Sequence, residues 1–132
     1  MRPATEILFS DDFLLPVSPR IAGEVPAIDL VHLEQMTLGD RVLERQVLEL
    51  FERQTELLMS RMSKSEPSAL ASLAHTLCGS ARGIGAWRVA AAAEALERAA
   101  RERRAVEVRL ARLVAAAMEA RCAIGARLPA TA

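Results

Sequence analysis

Along most of this chain, apolar residues recur at the 3.6-residue period of an amphipathic helix. The clearest run is Leu70 to Trp87, LASLAHTLCGSARGIGAW. In it, Leu70, Leu73, Ala74, Leu77, Ala81 and Ile84 form one stripe, which predicts a buried face. His75 falls about 140° from the middle of that stripe, so an imidazole facing solvent is expected. Ala71 and Gly79 stand one turn to either side with almost no side chain, and Cys78 and Arg82 are expected on the same outward flank. The helix is predicted to start at Ser65 as N-cap with Pro67 in its first turn, and to end or bend at Gly83 and Gly85.

The same period predicts the other elements. Asp29 caps a short helix over about 28–36, with Leu30 and Leu33 inward. Gly39-Asp40 stops that helix and caps the next, over about 41–62. There Leu43, Val47, Leu50, Phe51, Leu57, Leu58 and Met62 are expected inside, opposite a charged, solvated face. A helix over about 86–103 turns Val89, Ala93, Leu96 and Ala100 inward, with Trp87 at the core or its rim. A last helix, about 105–127, is expected to bury Leu110, Leu113, Val114, Ala117 and Met118. Short connections imply antiparallel neighbours. The expected fold is therefore all-α: an antiparallel up-down four-helix bundle over 27–128 with a short extra N-terminal helix. Residues 1–26, with Pro3, Pro16, Pro19, Pro26 and Gly23, read as an irregular arm on the bundle; a docking segment for a partner is the alternative.

Composition narrows the function. A chain of 132 residues is one domain by length, and its 52% hydrophobic content, mostly Ala and Leu, favours helices. Formal net charge is zero, so a general electrostatic drive toward nucleic acid is absent. The charge is nonetheless polarised. Residues 1–66 hold 7 basic and 12 acidic groups, leaving 10 and 5 for 67–132, the half that carries His75. Two cysteines 44 positions apart give neither a disulfide framework nor a metal set, as expected for a reduced cytoplasmic protein. No apolar run approaches the ~20 residues of a membrane span, and no secretion signal is legible. Gly79, Gly83 and Gly85 do not follow a strand, so they do not read as a nucleotide-binding loop.

The residues His75-Thr-Leu-Cys-Gly79-Ser80-Ala81, then Gly85 and Leu96-Glu97, resemble the motif of histidine-containing phosphotransfer (HPt) domains. That pattern reads roughly H-x-x-K-G-S/A-A, a glycine six residues on, and a later L-E. The upstream segment, with Asp29-Leu30, Gly39-Asp40 and Leu48-Glu-Leu-Phe51, is similar to the family's first helices. One position departs: the usual Lys is Cys78 here.

The resemblance implies that His75 is a phosphoacceptor, taking a phosphoryl group from a receiver-domain aspartate and passing it to another receiver. The protein would be a phosphocarrier without kinase activity of its own. It would hold no cofactor, and Mg²⁺ would come with the receiver. Its partners would be response-regulator receivers and a hybrid sensor histidine kinase, not nucleic acid or membrane. Gly79 would admit the receiver's loops, Arg82 would meet phosphoryl oxygens or the receiver's acidic site, and Glu97 would fix the histidine tautomer, with Arg101 adding charge. Losing the Lys would remove about 1–2 kcal/mol of charge stabilisation, which Arg82 would partly replace. A binding module that docks a receiver or kinase without transfer is the second expectation. A dimerising kinase fragment is the third, but one chain has enough helices for a bundle, so a monomer is expected. His32 reads as a plain surface residue.

Overall fold

A computed structural model describes residues 25–128. Apart from Val25 and Pro26, the expected arm lies outside the described residues. These form five helices and no strand: α1 Leu30–Met36, α2 Arg41–Met62, α3 Pro67–Ile84, α4 Trp87–Glu102 and α5 Val106–Arg127. α3 packs most extensively on α4; α4 packs on α5, α2 on α3 and α5, and α1 on α3.

The helix ends follow local chemistry. The Asp29 carboxylate accepts from the His32 N–H at 3.1 Å and caps α1. Asp40 accepts from the N–H groups of Val42 (2.9 Å) and Leu43 (3.1 Å) and caps α2. α3 departs from expectation: its N-cap is Glu66, with Pro67 at the first helical position. Ser65 instead donates its hydroxyl back to the Arg61 carbonyl at 2.7 Å. Gly85 ends α3 in the left-handed region at φ +83°. A Cβ there would sit 3.0 Å from the Asp29 carbonyl oxygen, because the Asp29 N–H donates to the Gly85 carbonyl at 2.9 Å. Glycine is thus needed twice, for its φ and for the close passage of α1.

Around that junction, Trp87 Nε1–H donates to Asp29 Oδ2 at 2.9 Å, and the His32 ring lies edge-on to the indole at 4.9 Å. His32 Nε2 is 3.1 Å from the Gly83 carbonyl, which can only accept, so that nitrogen carries a proton. His32 is therefore a structural residue tying α1 to the end of α3, not a plain surface histidine.

The core faces of α3 and α4 are largely as the periodicity requires, with Leu70, Ala74, Leu77, Ala81, Ile84, Val89, Ala93, Leu96 and Ala100 buried. The expected face of α2 is rotated. Leu43, Leu50 and Leu57 are exposed, and the buried line is Glu44, Leu48, Phe51, Thr55, Leu58 and Met62. Two polar residues in that line disguised it. Leu30 is likewise half exposed while Leu33 is fully buried. On α5 the core line is Leu113, Ala117, Ala120 and Ile124, and Val114 and Met118 point outward.

Glu44 tolerates burial because Arg127 grips it with two hydrogen bonds, 2.7 Å from Nε and 3.2 Å from Nη2. This fork ties the end of α5 to the start of α2, and the Arg127 bond is the main reason the Glu44 carboxyl is held below its ordinary pKa. A carboxylate with a lowered folded pKa contributes stability that is present above its unfolded pKa and lost as pH falls through the folded one. Arg127→Met should therefore destabilise the fold by about 2–4 kcal/mol at pH 7, because it strands a buried carboxylate. Urea denaturation at pH 7 and at acid pH should show the deficit shrinking as Glu44 protonates; an equal deficit at both would contradict this role.

Candidate functional site

His75 lies near the middle of α3, with its side chain 74% exposed. The helix aims it toward the α4 edge, where Glu97 waits one residue past the core position Leu96. Nδ1 is 3.2 Å from Glu97 Oε1. A carboxylate only accepts, so Nδ1 carries the proton and donates, and Nε2 keeps its lone pair. The other carboxylate oxygen of Glu97 accepts from Arg101, 2.8 Å from Nη2 and 3.3 Å from Nε. Arg101, then His75, hold the Glu97 carboxyl below its ordinary pKa, against the opposing effect of its partial burial. The arrangement is a chain of three: Arg101 fixes Glu97, Glu97 fixes the ring, and the ring offers one nitrogen to water.

The other expected site residues divide. Arg82 is exposed beside the site, its Nη2 3.3 Å from Glu94 Oε1. Glu94 was not singled out from the sequence; its position three residues before Glu97, hence on the same face of α4, was the available signal. Gly79 is exposed, and a Cβ built there meets nothing within 4 Å. It is not in the buried stripe, and among the described residues no neighbour needs it to be glycine.

Cys78 and Ala71 are corrections. Both are buried in the core, at 4% and 2% exposure, and Cys78 is therefore off the outward flank expected for it. The reason is the width of the buried face: small residues on α3 and α4 allow close approach, and the contact extends one position further round the helix than the leucine stripe. Burial pushes the Cys78 thiol pKa up, with Arg82 opposing and Glu94 and Glu97 adding to the rise. The thiol therefore stays protonated and is no nucleophile at neutral pH. On the other flank of His75, Arg61, Lys64, Ser72, Leu73 and Thr76 line an open groove between α2 and α3. Among the described residues, no three His, Cys, Asp or Glu side chains cluster as a metal site, and no helix is long and apolar enough to cross a membrane.

A helical body that presents one oriented, solvent-facing imidazole beside paired charges belongs to the class of histidine-bearing helical bundles. The family model for the Hpt domain matches residues 42–123, from the start of α2 to near the end of α5. The chain belongs to the Hpt domain family, and with it to histidine phosphotransfer in two-component phosphorelay signalling. No curated protein and no solved structure matches it.

Gly79 generates a test of its own. With open space around it, Gly79→Ala should raise stability by about 0.5–1 kcal/mol through helix propensity. Thermal denaturation reads this directly; a loss of stability would mean that an intramolecular contact requires the glycine.

Proposed function

We propose that this protein is a phosphorelay intermediate. It accepts a phosphoryl group on His75 Nε2 from a receiver-domain aspartyl phosphate and gives it to the aspartate of another receiver. The observation that carries the reading is the Glu97–His75 hydrogen bond, which in the neutral ring leaves Nε2 as the unprotonated nitrogen of a side chain that is largely exposed. Helices α2 to α5 read as an antiparallel up-down four-helix bundle, supported by the short connections between consecutive helices.

The step is a displacement at phosphorus. The Nε2 lone pair forms the N–P bond as the acyl O–P bond breaks, and the receiver's carboxylate leaves with the electron pair. The ring, still protonated on Nδ1, becomes cationic as the N–P bond forms. Glu97 is placed against that developing charge and holds the ring still. Arg101 keeps Glu97 ionised and in place. Reversal of the same step discharges the ring onto the next receiver, so the chain acts as a carrier rather than a kinase. Mg²⁺, and most of the charge neutralisation around phosphorus, are proposed to come with the receiver. A reduced cytoplasmic setting and a hybrid sensor kinase upstream accord with this role.

Gly79 is the clearance beside the reacting ring. A receiver loop crossing α3 there would meet no side chain from residue 79 itself. The cation that HPt domains usually place at position 78 is replaced by a buried thiol, and the positive groups along the α3–α4 edge are Arg82 and Arg101. Both are already paired with carboxylates. The phosphohistidine is accordingly expected to be less screened than one with a free lysine beside it.

The test is transfer of label from a phosphorylated receiver. Acid-labile label should appear on the wild type and be absent from His75→Gln. Glu97→Ala should slow transfer by roughly 10- to 100-fold, the scale of losing an orienting partner, with its helical signal unchanged. Gly79→Ala should also slow transfer while raising stability. Receiver binding that persists with no label on His75 would contradict the relay and leave a docking module in its place.

A further inference from the structure

We propose that the outward face of α5 is a self-complementary surface on which a second copy of this chain docks antiparallel, forming a weak, reversible dimer. Leu113, Ala117, Ala120 and Ile124 turn one side of α5 into the core. Directly opposite, at alternating spacings of three and four, stand Val108, Ala111, Ala115, Met118, Cys122 and Gly125, all exposed. None carries a charge, and Val108 and Met118 are 52% and 61% exposed. A surface helix ordinarily turns charged and polar residues to water. α2 interrupts its outer side with Gln46, Arg53 and Ser60 among the exposed Val42, Leu50 and Leu57. The 3–4 repeat on α5 is instead the spacing of a seam between two helices.

Size and charge both select a second copy. In an antiparallel pair, the first position of each heptad faces the fourth position of the other helix. Val108 then faces Gly125, Ala111 faces Cys122, and Ala115 faces Met118, a smaller residue always opposite a larger one. A two-fold axis between Ala115 and Met118 generates every pair twice. The parallel alternative stacks Met118 on Met118 and Gly125 on Gly125, one layer overfilled and one empty. Along one edge of the antiparallel seam, Arg112 comes within about 3 Å of the axial level of Glu119 of the second copy. Among the described residues Arg112 has no ion pair, while Glu119 engages Arg88 at 3.1 Å.

The extent of the face sets the strength. α5 has 22 residues, hence about 33 Å of length, and a strip about 10 Å wide covers roughly 330 Å² on each copy. That is less than stable interfaces bury, so a Kd on the order of 10–100 μM is expected. The monomer expected from the sequence rested on one chain supplying its whole bundle. That completeness makes the association optional for folding. α3 packs between α2 and α4, whereas α5 packs on α2 and α4 from the other side, so both His75 sites of the dimer stay open.

Light scattering of the full chain across two decades of concentration centred on about 50 μM tests this. The mass should rise from that of one 14.3 kDa chain toward twice that value. Ala115→Arg should stay at the mass of one chain throughout, with unchanged helical circular dichroism and unchanged phosphotransfer. Arg112→Glu should weaken association roughly three- to ten-fold, and adding Glu119→Arg should restore it. Register is read by oxidation: Ala111→Cys places a thiol opposite Cys122 and should link two chains, while the wild type should not, its Cys122 residues lying far apart. A single-chain mass at every concentration would overturn the proposal. So would ready crosslinking of the wild type, which is the parallel register. Loss of receiver binding in Ala115→Arg without a change in mass would assign the face to the receiver and overturn it too.

Discussion

Close packing of α3 on α4 is the constraint on which the rest depends. Ala74, Ala81, Ala90, Ala93 and Ala100 line the contact between these helices and their core neighbours. Side chains this small let two helix backbones approach, and the approach has a chemical consequence. It brings a carboxylate on α4 within hydrogen-bond distance of an imidazole on α3 whose other nitrogen is still in water. Larger residues along this contact would separate the helices and leave Glu97 short of the ring. The loss of side-chain burial that alanines entail is offset at the two ends of the bundle. There Asp29, His32, Trp87 and Gly85 tie α1 to the turn between α3 and α4, and Glu44 with Arg127 ties α2 to α5.

Charge is arranged around the site as alternating pairs rather than as a bare cationic patch. Arg101 with Glu97, and Arg82 with Glu94, run along the edge shared by α3 and α4. Arg101 holds the Glu97 carboxylate ionised and in place, Arg82 hydrogen-bonds Glu94, and the imidazole stays largely exposed to solvent. Such an edge orients a histidine well and neutralises an incoming dianion modestly. That balance fits the proposed carrier, whose partner would supply metal and charge, and it gives a physical meaning to the exchange of lysine for a buried thiol at position 78.

Much of this was legible in the sequence, and the exceptions have physical reasons. The helices of the fold follow from apolar spacing, from Asp29 and Asp40 as caps, and from Pro67 and Gly85 as start and stop. The exposure of His75 follows from its angle to a stripe of unambiguous residues. The face of α2 did not follow, because Glu44 and Thr55 occupy core positions while Leu43, Leu50 and Leu57 stand outside. A buried glutamate can be read only when its partner is known, and Arg127 lies 83 residues away. Cys78 misled for the opposite reason: a residue at the edge of a helical stripe is inside or outside according to how closely the next helix approaches, and sequence period does not carry that distance. Glu97 was reached through the resemblance to a family motif; Glu94, outside that motif, was not.

The central claim is that Glu97 fixes the His75 ring so that Nε2 is the nucleophile. Side-chain nitrogen NMR of His75, before and after phosphorylation by a receiver, tests it most directly. The expected result is a neutral ring protonated on Nδ1 with Nε2 unprotonated, and phosphorus coupled to Nε2 afterwards. A ring protonated on Nε2 in the resting protein, or phosphorus attached to Nδ1, would contradict it.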